Sequence, residues 1–390
     1  MSRWRQREWS TLKPRYTSYP TADRFVEAFG AQDYRQALRQ RAKGGVVGGA
    51  APLSIYVHIP FCKSVCYYCS CNKIITKHHE RGRAYLQSLA AEIDLHTAEL
   101  GRGQSVSQLQ LGGGSPKFLS DDELSDLMDM LRGAFVLSPR AEVAIEVDPR
   151  TADPQRLQHL AALGFNRISF GIQDFDPAVQ AAVHRVQSFE SVQALMGQAK
   201  ALGFQSINAD LIYGLPMQTP ESFQRTVAQV AELRPHRIAS RSTPTRTCRN
   251  ASSRSAASRA PTCRVGATYS QNAKTLPEYT DALSQGCFPV VRGLALTRDD
   301  LMRRSVIMAL MCQGRLDFES IDLAHLVDTR SLLAPELARL RPLVEMGLVE
   351  LSPAAVQVTP TGWFYVRAVA MVFDRHLHAD ANHHRFSRIL

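Results

Sequence analysis

Short apolar runs typical of strands alternate with segments of helical periodicity over the first 240 residues. Strands are predicted at 53–60, 107–116, 141–149, 167–175, 207–216 and, more briefly, 236–240. Helices with one apolar face are predicted between them, at about 79–100, 153–163, 176–201 and 220–233. A further helix is predicted to begin after Ser120, because Ser120 and Glu123 have the spacing of a capping box. This alternation predicts an α/β fold with a parallel sheet, most simply a partial (β/α) barrel.

The alternative to a barrel is a doubly wound sheet, which carries a G-x-G-x-x-G turn after its first strand. Here the glycine-rich turn GGGSP (112–116) follows the second strand and does not match that pattern. In (β/α) barrels the reactive groups gather at the C-terminal ends of the strands. The polar or glycine-rich positions predicted at these ends are Gly112 to Ser115, Glu146, Gln173 and Asp210.

The last hundred residues have a different pattern, with three helices, two short strands and a final helix. This order resembles a winged-helix module, which some proteins use to bind DNA. Because no basic recognition helix stands out, we favour a small helical cap over the barrel mouth. The predicted units are an N-terminal arm and helix (1–50), the partial barrel (51–239), an Arg/Ser-rich segment (240–265), a barrel-to-cap connection (266–296) and a winged-helix-like cap domain (297–390).

Composition argues against wholesale disorder, because 45% of the 390 residues are hydrophobic and 21% are charged. The longest apolar runs fall short of the roughly 18 residues that a membrane-spanning helix needs, so no membrane span is predicted. The polar, basic N-terminus lacks the apolar centre of a signal peptide, and we expect a cytoplasmic protein. The formal net charge of +10 would suit an anionic partner such as nucleic acid.

Most of that charge lies in one segment, residues 240–264, which holds six Arg and no acidic residue. The segment contains no Ile, Leu, Val, Met or aromatic residue and cannot bury apolar surface, so we expect a loose loop or disorder. It can be a linker, a stretch with a shifted reading frame, or an RNA-binding arm. Without its six Arg, the net charge of +10 falls to +4 for the rest of the chain, and no nucleic-acid partner is predicted.

Four cysteines fall within ten residues, and the first three, Cys62, Cys66 and Cys69, have the spacing C-x3-C-x2-C. Three thiolates on one loop can ligate three irons of a cubane cluster and leave the fourth iron open for a small molecule. A structural zinc site fits less well, because it takes four protein ligands. A disulfide framework is not expected in a long chain without a secretion signal. The pattern therefore predicts a catalytic iron–sulfur site.

Longer motifs around this loop resemble a known family. They are PRYTSYPTADRF (14–25), YVHIPFC (56–62), CYYCSCNK (66–73), GGGSP (112–116), IEVDPR (145–150), FNRISFGIQDF (165–175), NADLIYGLP (208–216), YSQNAK (269–274) and RGLALTRDD (292–300). With them the chain resembles the oxygen-independent coproporphyrinogen III oxidases of the radical S-adenosylmethionine (SAM) superfamily, over about 12–239 and from 265 to the end. The C-x-C continuation and the PRYTSYP arm favour these oxidases over the alternative, a related haem chaperone or another porphyrin-binding relative.

The resemblance implies specific site residues. Cys62, Cys66 and Cys69 would hold a [4Fe–4S] cluster, and Cys71 would belong to the motif without being a ligand. The SAM on the open iron would contact Tyr56, Gly113, Glu146 and Leu294, and Tyr56 and Glu146 are the candidate catalytic residues. A second SAM, a feature of this family, would contact Tyr68, Gly114, Ser115, Gln173, Arg185 and Asp210. The guanidinium of Arg185 also suits a methionyl carboxylate on chemical grounds.

The reaction implied by the resemblance is an anaerobic oxidative decarboxylation. A 5′-deoxyadenosyl radical released from SAM abstracts hydrogen from a propionate of coproporphyrinogen III, and loss of carbon dioxide and one electron leaves a vinyl group. Two such steps give protoporphyrinogen IX. The chain would need an electron donor and an electron acceptor, which the sequence does not identify, and we expect it to be a monomer.

One departure from the family concerns the sixth barrel strand. After RIA (237–239) the family pattern gives way to Arg/Ser-rich sequence and several dozen residues are missing, as a shifted reading frame with a deletion would produce. We expect the fifth strand (207–216) to be left as an unpaired edge, and the chain to be poorly stable and weakly active or inactive. Translating the coding DNA around residues 238–266 in all three frames tests the frame shift, which is wrong if no frame encodes family-like sequence.

Overall fold

The computed structural model describes residues 16–44, 51–69, 71–242 and 262–379. Its strands are β1 (Leu53–Ile59), β2 (Phe61–Cys62), β3 (Ile74–Ile75), β4 (Gln104–Gly113), β5 (Phe135–Val147), β6 (Arg167–Gln173), β7 (Ser206–Tyr213), β8 (Arg237–Ser242), β9 (Thr262–Val265), β10 (Thr268–Asn272), β11 (Val290–Ala295), β12 (Arg315–Asp317), β13 (Val349–Leu351) and β14 (Ala355–Val358). Its α-helices are α1 (Ala31–Lys43), α2 (Glu80–Leu100), α3 (Asp121–Ala134), α4 (Pro154–Ala162), α5 (Pro177–Ala182), α6 (Phe189–Ala201), α7 (Pro220–Glu232), α8 (Leu276–Ser284), α9 (Arg298–Gln313), α10 (Phe318–His325), α11 (Thr329–Leu332), α12 (Ala334–Arg339), α13 (Arg341–Glu345), α14 (Val366–Met371) and α15 (Arg375–Ala379). None of the helices in these ranges combines the length and apolar character needed to cross a membrane.

Six parallel strands form the main sheet, in the order β1-β4-β5-β6-β7-β8. Along β6, Ile168, Phe170 and Ile172 are buried, whereas Ser169 and Gly171 between them are only partly buried. The buried set shares one apolar core with the connecting helices, so the alternate residues face the other side of the sheet. The partial (β/α) barrel predicted from the sequence is therefore confirmed, and its inner face is polar.

The fifth predicted strand (207–216) is β7 of the structure, and the prediction that it is an unpaired edge is wrong. Strand β8 pairs in parallel with β7 over six positions, from Asn208↔Arg237 to Tyr213↔Ser242. Pairing uses backbone groups, and an outer strand need not bury large side chains; Ile238, for example, is half exposed. The sixth strand is therefore present as far as Ser242, although it runs into the Arg/Ser-rich segment. The predicted loop at 243–261 lies outside the described residues.

A second, antiparallel sheet has the order β11-β10-β9 and was not predicted. Strand β9 begins at Thr262, so this end of the segment predicted to be disordered is also a strand. The sheet packs against α1 through an apolar cluster that contains Phe29, Tyr34, Val265 and Phe288. Its residues connect the barrel to the C-terminal unit.

In its described residues the C-terminal unit follows the winged-helix order that the sequence predicts, with seven α-helices (α9 to α15) where four were predicted and with one extra strand. This extra strand, β12, joins β14 and β13 in a three-stranded sheet. The N-terminal arm packs into the same core, where Tyr16 and Tyr19 are buried. The Tyr16 hydroxyl donates to Asp374 Oδ2 at 2.8 Å, which ties the arm to the last described helices.

Candidate active site

A cleft of about 1100 Å³ opens at the C-terminal ends of the barrel strands. Its lining includes nearly every site residue named from the sequence: Tyr56, Cys62, Cys66, Tyr68, Cys69, Cys71, Gly113, Gly114, Ser115, Glu146, Gln173, Arg185 and Asp210. Leu294 is not part of that lining and lies on β11, in register with Tyr269 of β10. The other positions come from six different strands or the connections that follow them, and only the folded barrel brings them together.

The cysteine loop is closed at its base by the short parallel pair β2 and β3, in which Cys62 is in register with Ile75. Within the loop the amide of Cys69 donates to the carbonyl of Cys66 at 3.0 Å. The amide of Tyr67 donates to the Val183 carbonyl at 3.2 Å, which fastens the loop to the region after α5. These backbone contacts hold the thiols of Cys62, Cys66 and Cys69 at the cleft.

The thiols of this loop differ in their ease of ionisation. A hydrogen bond from the Cys71 thiol, helped by the charge of Lys73, lowers the pKa of Cys69 to about 5. Burial, together with the charges of Cys69 and Cys66, raises the pKa of Cys62 to about 11. Iron binds the thiolate form, so Cys69 is already suited to ligation and Cys62 must lose its proton when metal binds.

The loop fits a polynuclear cluster better than a single ion. In the described part of the chain, no three His, Cys, Asp or Glu side chains are grouped to hold one metal ion. A cubane cluster does not need such convergence, because each thiolate binds a different iron. The thiols of Cys62, Cys66 and Cys69 are not in disulfides and remain available as ligands.

Glycines beside the loop keep room for a bound group. A Cβ on Gly114 would lie 2.8 Å from the Phe61 carbonyl oxygen and 3.0 Å from Cys62 Sγ. Gly113 has φ +119, and a Cβ there would lie 2.7 Å from the Ile59 carbonyl oxygen. Glycine alone is compatible with this backbone and this closeness. The donor set and the glycine cradle therefore fit an iron–sulfur cluster with a small molecule beside it.

Two arginines surround Cys66 and share one carboxylate. Arg150 Nη2 and Arg185 Nη1 each lie 3.4 Å from Cys66 Sγ. The same groups donate to Asp148 Oδ2, at 2.7 Å from Arg150 and 3.2 Å from Arg185. Burial opposes ionisation of Asp148, but hydrogen bonds from Arg150 and the charge of Arg185 hold its pKa below the ordinary value. The sulfur of Cys66 is therefore held between two guanidinium groups that also share the carboxylate of Asp148.

Most donors of Arg185 are used within the protein. Its Nε and Nη2 donate to the Gly171 carbonyl at 3.2 and 2.6 Å, and its Nη1 contacts Asp148 and Cys66. A guanidinium has five N–H donors, so only one, on Nη2, is left for a ligand. In this structure Arg185 therefore serves mainly to pack and hydrogen-bond against Cys66 of the cysteine loop and its neighbours.

The carboxylates of Glu146 and Asp210 form an acidic part of the cleft wall. Asp210 accepts hydrogen bonds from Ser169 Oγ at 2.7 Å and from Asn208 Nδ2 at 2.8 Å. Burial and the charge of Asp210 raise the pKa of Glu146, and Gln110 Nε2 donates to it at 3.3 Å. A pair of carboxylates in a partly buried cleft suits a cationic or hydroxyl-bearing ligand.

His58 orients the hydroxyl of Tyr56. The carbonyl oxygen of Asn72 can only accept, so the ring N–H of His58 is on Nε2, which lies 2.9 Å from that oxygen. Nδ1 then accepts from the Tyr56 hydroxyl at 3.3 Å. Burial lowers the pKa of His58, which keeps this neutral form.

Sequence reasoning missed several residues of this cleft. They are His58, Asp148, Arg150, Ser169 and Arg241. The first four lie inside motifs that carried the resemblance, and alternation along β1 and β5 would have put His58 and Asp148 on the inner face. Arg241 carried no signal, because the strand it belongs to was predicted to end at Ser240.

Comparisons with known proteins agree with this geometry. The radical SAM superfamily profile matches residues 56–230, and the profile of the HemN C-terminal domain matches residues 296–365. The oxygen-independent coproporphyrinogen III oxidase of Escherichia coli K12 is 36% identical, over 97% of this chain and 96% of its own length. The Pseudomonas aeruginosa enzyme of the same description is also 36% identical, over 98% and 97%. The solved structure of E. coli coproporphyrinogen III oxidase (HemN), described as a radical SAM enzyme, superposes with a TM-score of 0.83 over 93% of this chain and 98% of that one.

The alignment with the E. coli relative also shows that this chain is shorter. It extends over 445 positions, whereas this chain has 390 residues, so at least 55 positions of the relative have no counterpart here (445 − 390). This agrees with the expectation that several dozen residues are missing.

Proposed function

The chain belongs to the oxygen-independent coproporphyrinogen III oxidase family of the radical SAM superfamily, and from that premise we propose that it converts two propionates of coproporphyrinogen III to vinyl groups without oxygen. It is a radical SAM oxidoreductase of this type. The observation that carries the proposal is one cleft that brings three free thiols, a glycine cradle and the carboxylates of Glu146 and Asp210 together.

We assign the bound groups to two parts of the cleft. Cys62, Cys66 and Cys69 would hold a [4Fe–4S] cluster, and Tyr56, Gly113 and Glu146 would contact the SAM beside it. Tyr68, Gly114, Ser115, Gln173, Arg185 and Asp210 would contact a second SAM. When bound, cluster and SAM supply the radical that abstracts hydrogen from the substrate. Leu294 lies outside the cleft lining, so the first assignment rests on the other three residues.

The protein's own side chains position these groups and set their charge. His58 holds the Tyr56 hydroxyl toward the cleft, and Arg150 and Arg185 each direct an N–H at the sulfur of Cys66. Lys63 and Lys117 also line the cleft, and burial lowers the pKa of Lys117. Cations at this edge suit a substrate that bears four carboxylates.

The proposal is tested by anaerobic turnover of the iron-reconstituted full chain with coproporphyrinogen III, SAM and a reductant. We expect protoporphyrinogen IX, identified as the oxidised porphyrin by mass spectrometry. The rate is expected to lie below that of the E. coli relative measured in parallel, because at least 55 aligned positions are missing here (445 − 390). Cleavage of SAM with the porphyrinogen left intact would contradict the proposed substrate.

Replacing Arg150 by glutamine is expected to make the reduction potential of the cluster more negative. Its guanidinium lies 3.4 Å from Cys66 Sγ. Hydrogen-bond donors to a ligand sulfur stabilise the reduced cluster, which carries one more negative charge than the oxidised cluster, so removing a donor lowers the potential. A redox titration followed by electron paramagnetic resonance measures the shift. Arg102→Gln, at an exposed position paired with Asp94, is the matched control. An unchanged potential in Arg150→Gln would contradict the role given to this contact.

A further inference from the structure

Arg241 lies on the inner face of the barrel although its sequence context predicted a loose segment. Strand β8 pairs in parallel with β7, and Ala239 is in register with Asp210. Partners in a parallel pair point to the same side of a sheet, and residues two apart on a strand share a face. Arg241 therefore points to the same side as Asp210, at the C-terminal end of the outer strand. It lines the same cleft as Glu146 and Asp210.

The charge of Arg241 reaches the acidic part of the cleft. It lowers the pKa of Glu146, against the effects of burial and of Asp210, which raise it. Arg241 is exposed to solvent, so its side chain can move aside when a ligand enters the cleft that it lines. The two carboxylates thus already have a cation of the protein near them before any ligand binds.

We propose that Arg241 is an internal counter-cation for Glu146 and Asp210, and that it weakens binding of a positively charged ligand in this cleft relative to an uncharged ligand of the same shape. The inference rests on the proposed function, which brings SAM, a sulfonium cation, to these carboxylates. The sulfonium of SAM has to approach the guanidinium of Arg241, and both cations then compete for the carboxylates of Glu146 and Asp210. S-adenosylhomocysteine has the same adenosyl and amino-acid parts without the sulfonium charge, and it meets no such penalty.

The ratio of the two dissociation constants, SAM over S-adenosylhomocysteine, measures this effect. Equilibrium dialysis is done on the reconstituted full chain under anaerobic conditions without reductant, so that SAM is not consumed. In Arg241→Gln we expect the ratio to fall about fivefold, the size typical of one charge pair in a cleft open to water. Arg241→Lys retains the charge and is expected to keep the ratio of the unmodified chain. The fivefold difference should shrink when salt is raised, because salt screens exposed charges.

Arg237→Gln is the matched control, because Arg237 lies on the same strand and side, four residues earlier, and outside the cleft lining. Its ratio should equal that of the unmodified chain. If both ligands bind Arg241→Gln with an unchanged ratio, the inference is overturned and the proposed function stands. An equal gain for both ligands would point to steric relief and would also overturn it. Failure of every variant to bind SAM would contradict the proposed function, and this inference with it.

Discussion

Cys66→Ala is expected to reduce iron and sulfide incorporation strongly and to lower porphyrinogen turnover below detection. The substitution removes one of the three thiols that line the cleft on a single loop, and two sulfur ligands cannot hold a cubane cluster in place. Iron and sulfide analysis, visible absorbance and anaerobic turnover of the reconstituted chain measure the effect.

The same substitution has a cost that is separate from the metal. Arg150 and Arg185 each direct an N–H at Cys66 Sγ, and alanine would leave both without that acceptor. Cys66 is partly buried, and both nitrogens still donate to Asp148, so the loss costs about 0.5–1.5 kcal/mol. We therefore expect the apo form of Cys66→Ala to unfold at lower urea concentration than the unmodified apo chain.

Cys287→Ala is the matched control for this experiment. Cys287 is exposed and lies outside the cleft lining, so its replacement should leave cluster content, turnover and urea midpoint unchanged. A Cys66→Ala chain that keeps full iron content and turnover would remove Cys66 from the ligand set and leave the assignment of the loop without its central member.

The barrel was predictable because each strand carries its own local signal. On β6, apolar residues alternate with Ser169 and Gly171, and this period identifies a strand and its buried face together. Helix α3 was predictable from its start, since the capping box of Ser120 and Glu123 is formed in the structure. The strand ends then follow, and with them the positions of Glu146 and Asp210 in the cleft.

Strand β9 was missed, and β8 was predicted only as far as Ser240, because the other residues of these strands lack such a signal. Residues 240–242 and 262–264 contain no large apolar side chain, yet both stretches pair through backbone hydrogen bonds with neighbouring strands. An outer strand draws its stability from a partner distant in sequence, and composition does not report that partner. For the same reason the sequence did not place Arg241 at the cleft, because its position depends on the pairing of β8 with β7.

The surroundings of Cys66 could not be predicted for a different reason. The resemblance assigned Arg185 to a ligand, but its contacts with Asp148 and Cys66 join residues 37 and 119 positions apart. Motifs name these residues separately and carry no distances between them. Only the folded chain shows that the two arginines share one carboxylate.

Asp148→Asn is expected to lower the free energy of unfolding by about 3 kcal/mol, the size typical of breaking a buried ion pair. Asp148 carries the carboxylate that faces both Arg150 and Arg185, and 17% of its side chain is exposed. Asparagine keeps the shape but leaves two neighbouring guanidinium charges without their counter-charge. Urea denaturation of the full apo chain measures the loss.

The matched control for this loss is a carboxylate in an exposed ion pair. Asp94 pairs with Arg102 at 3.0 Å, with 68% and 63% of the two side chains exposed. Exposed pairs contribute about 0–1 kcal/mol, so Asp94→Asn should have little effect. Equal losses of unfolding free energy in the two variants would show that the ion pairs of Asp148 contribute no more to stability than an exposed pair does.

The pH dependence separates the charge of Asp148 from its packing. Its pKa is lower in the folded chain than the ordinary 3.8, so its ionisation stabilises the fold above that value, and the contribution is lost as pH falls through the folded pKa. The difference between the unmodified chain and Asp148→Asn should therefore be full at neutral pH and shrink in acid below about pH 4. Adding Arg150→Gln to Asp148→Asn should recover part of the stability, because one uncompensated charge is removed. A difference that is constant with pH, with no recovery in the double variant, would mean that asparagine is destabilising through its shape and hydrogen bonds.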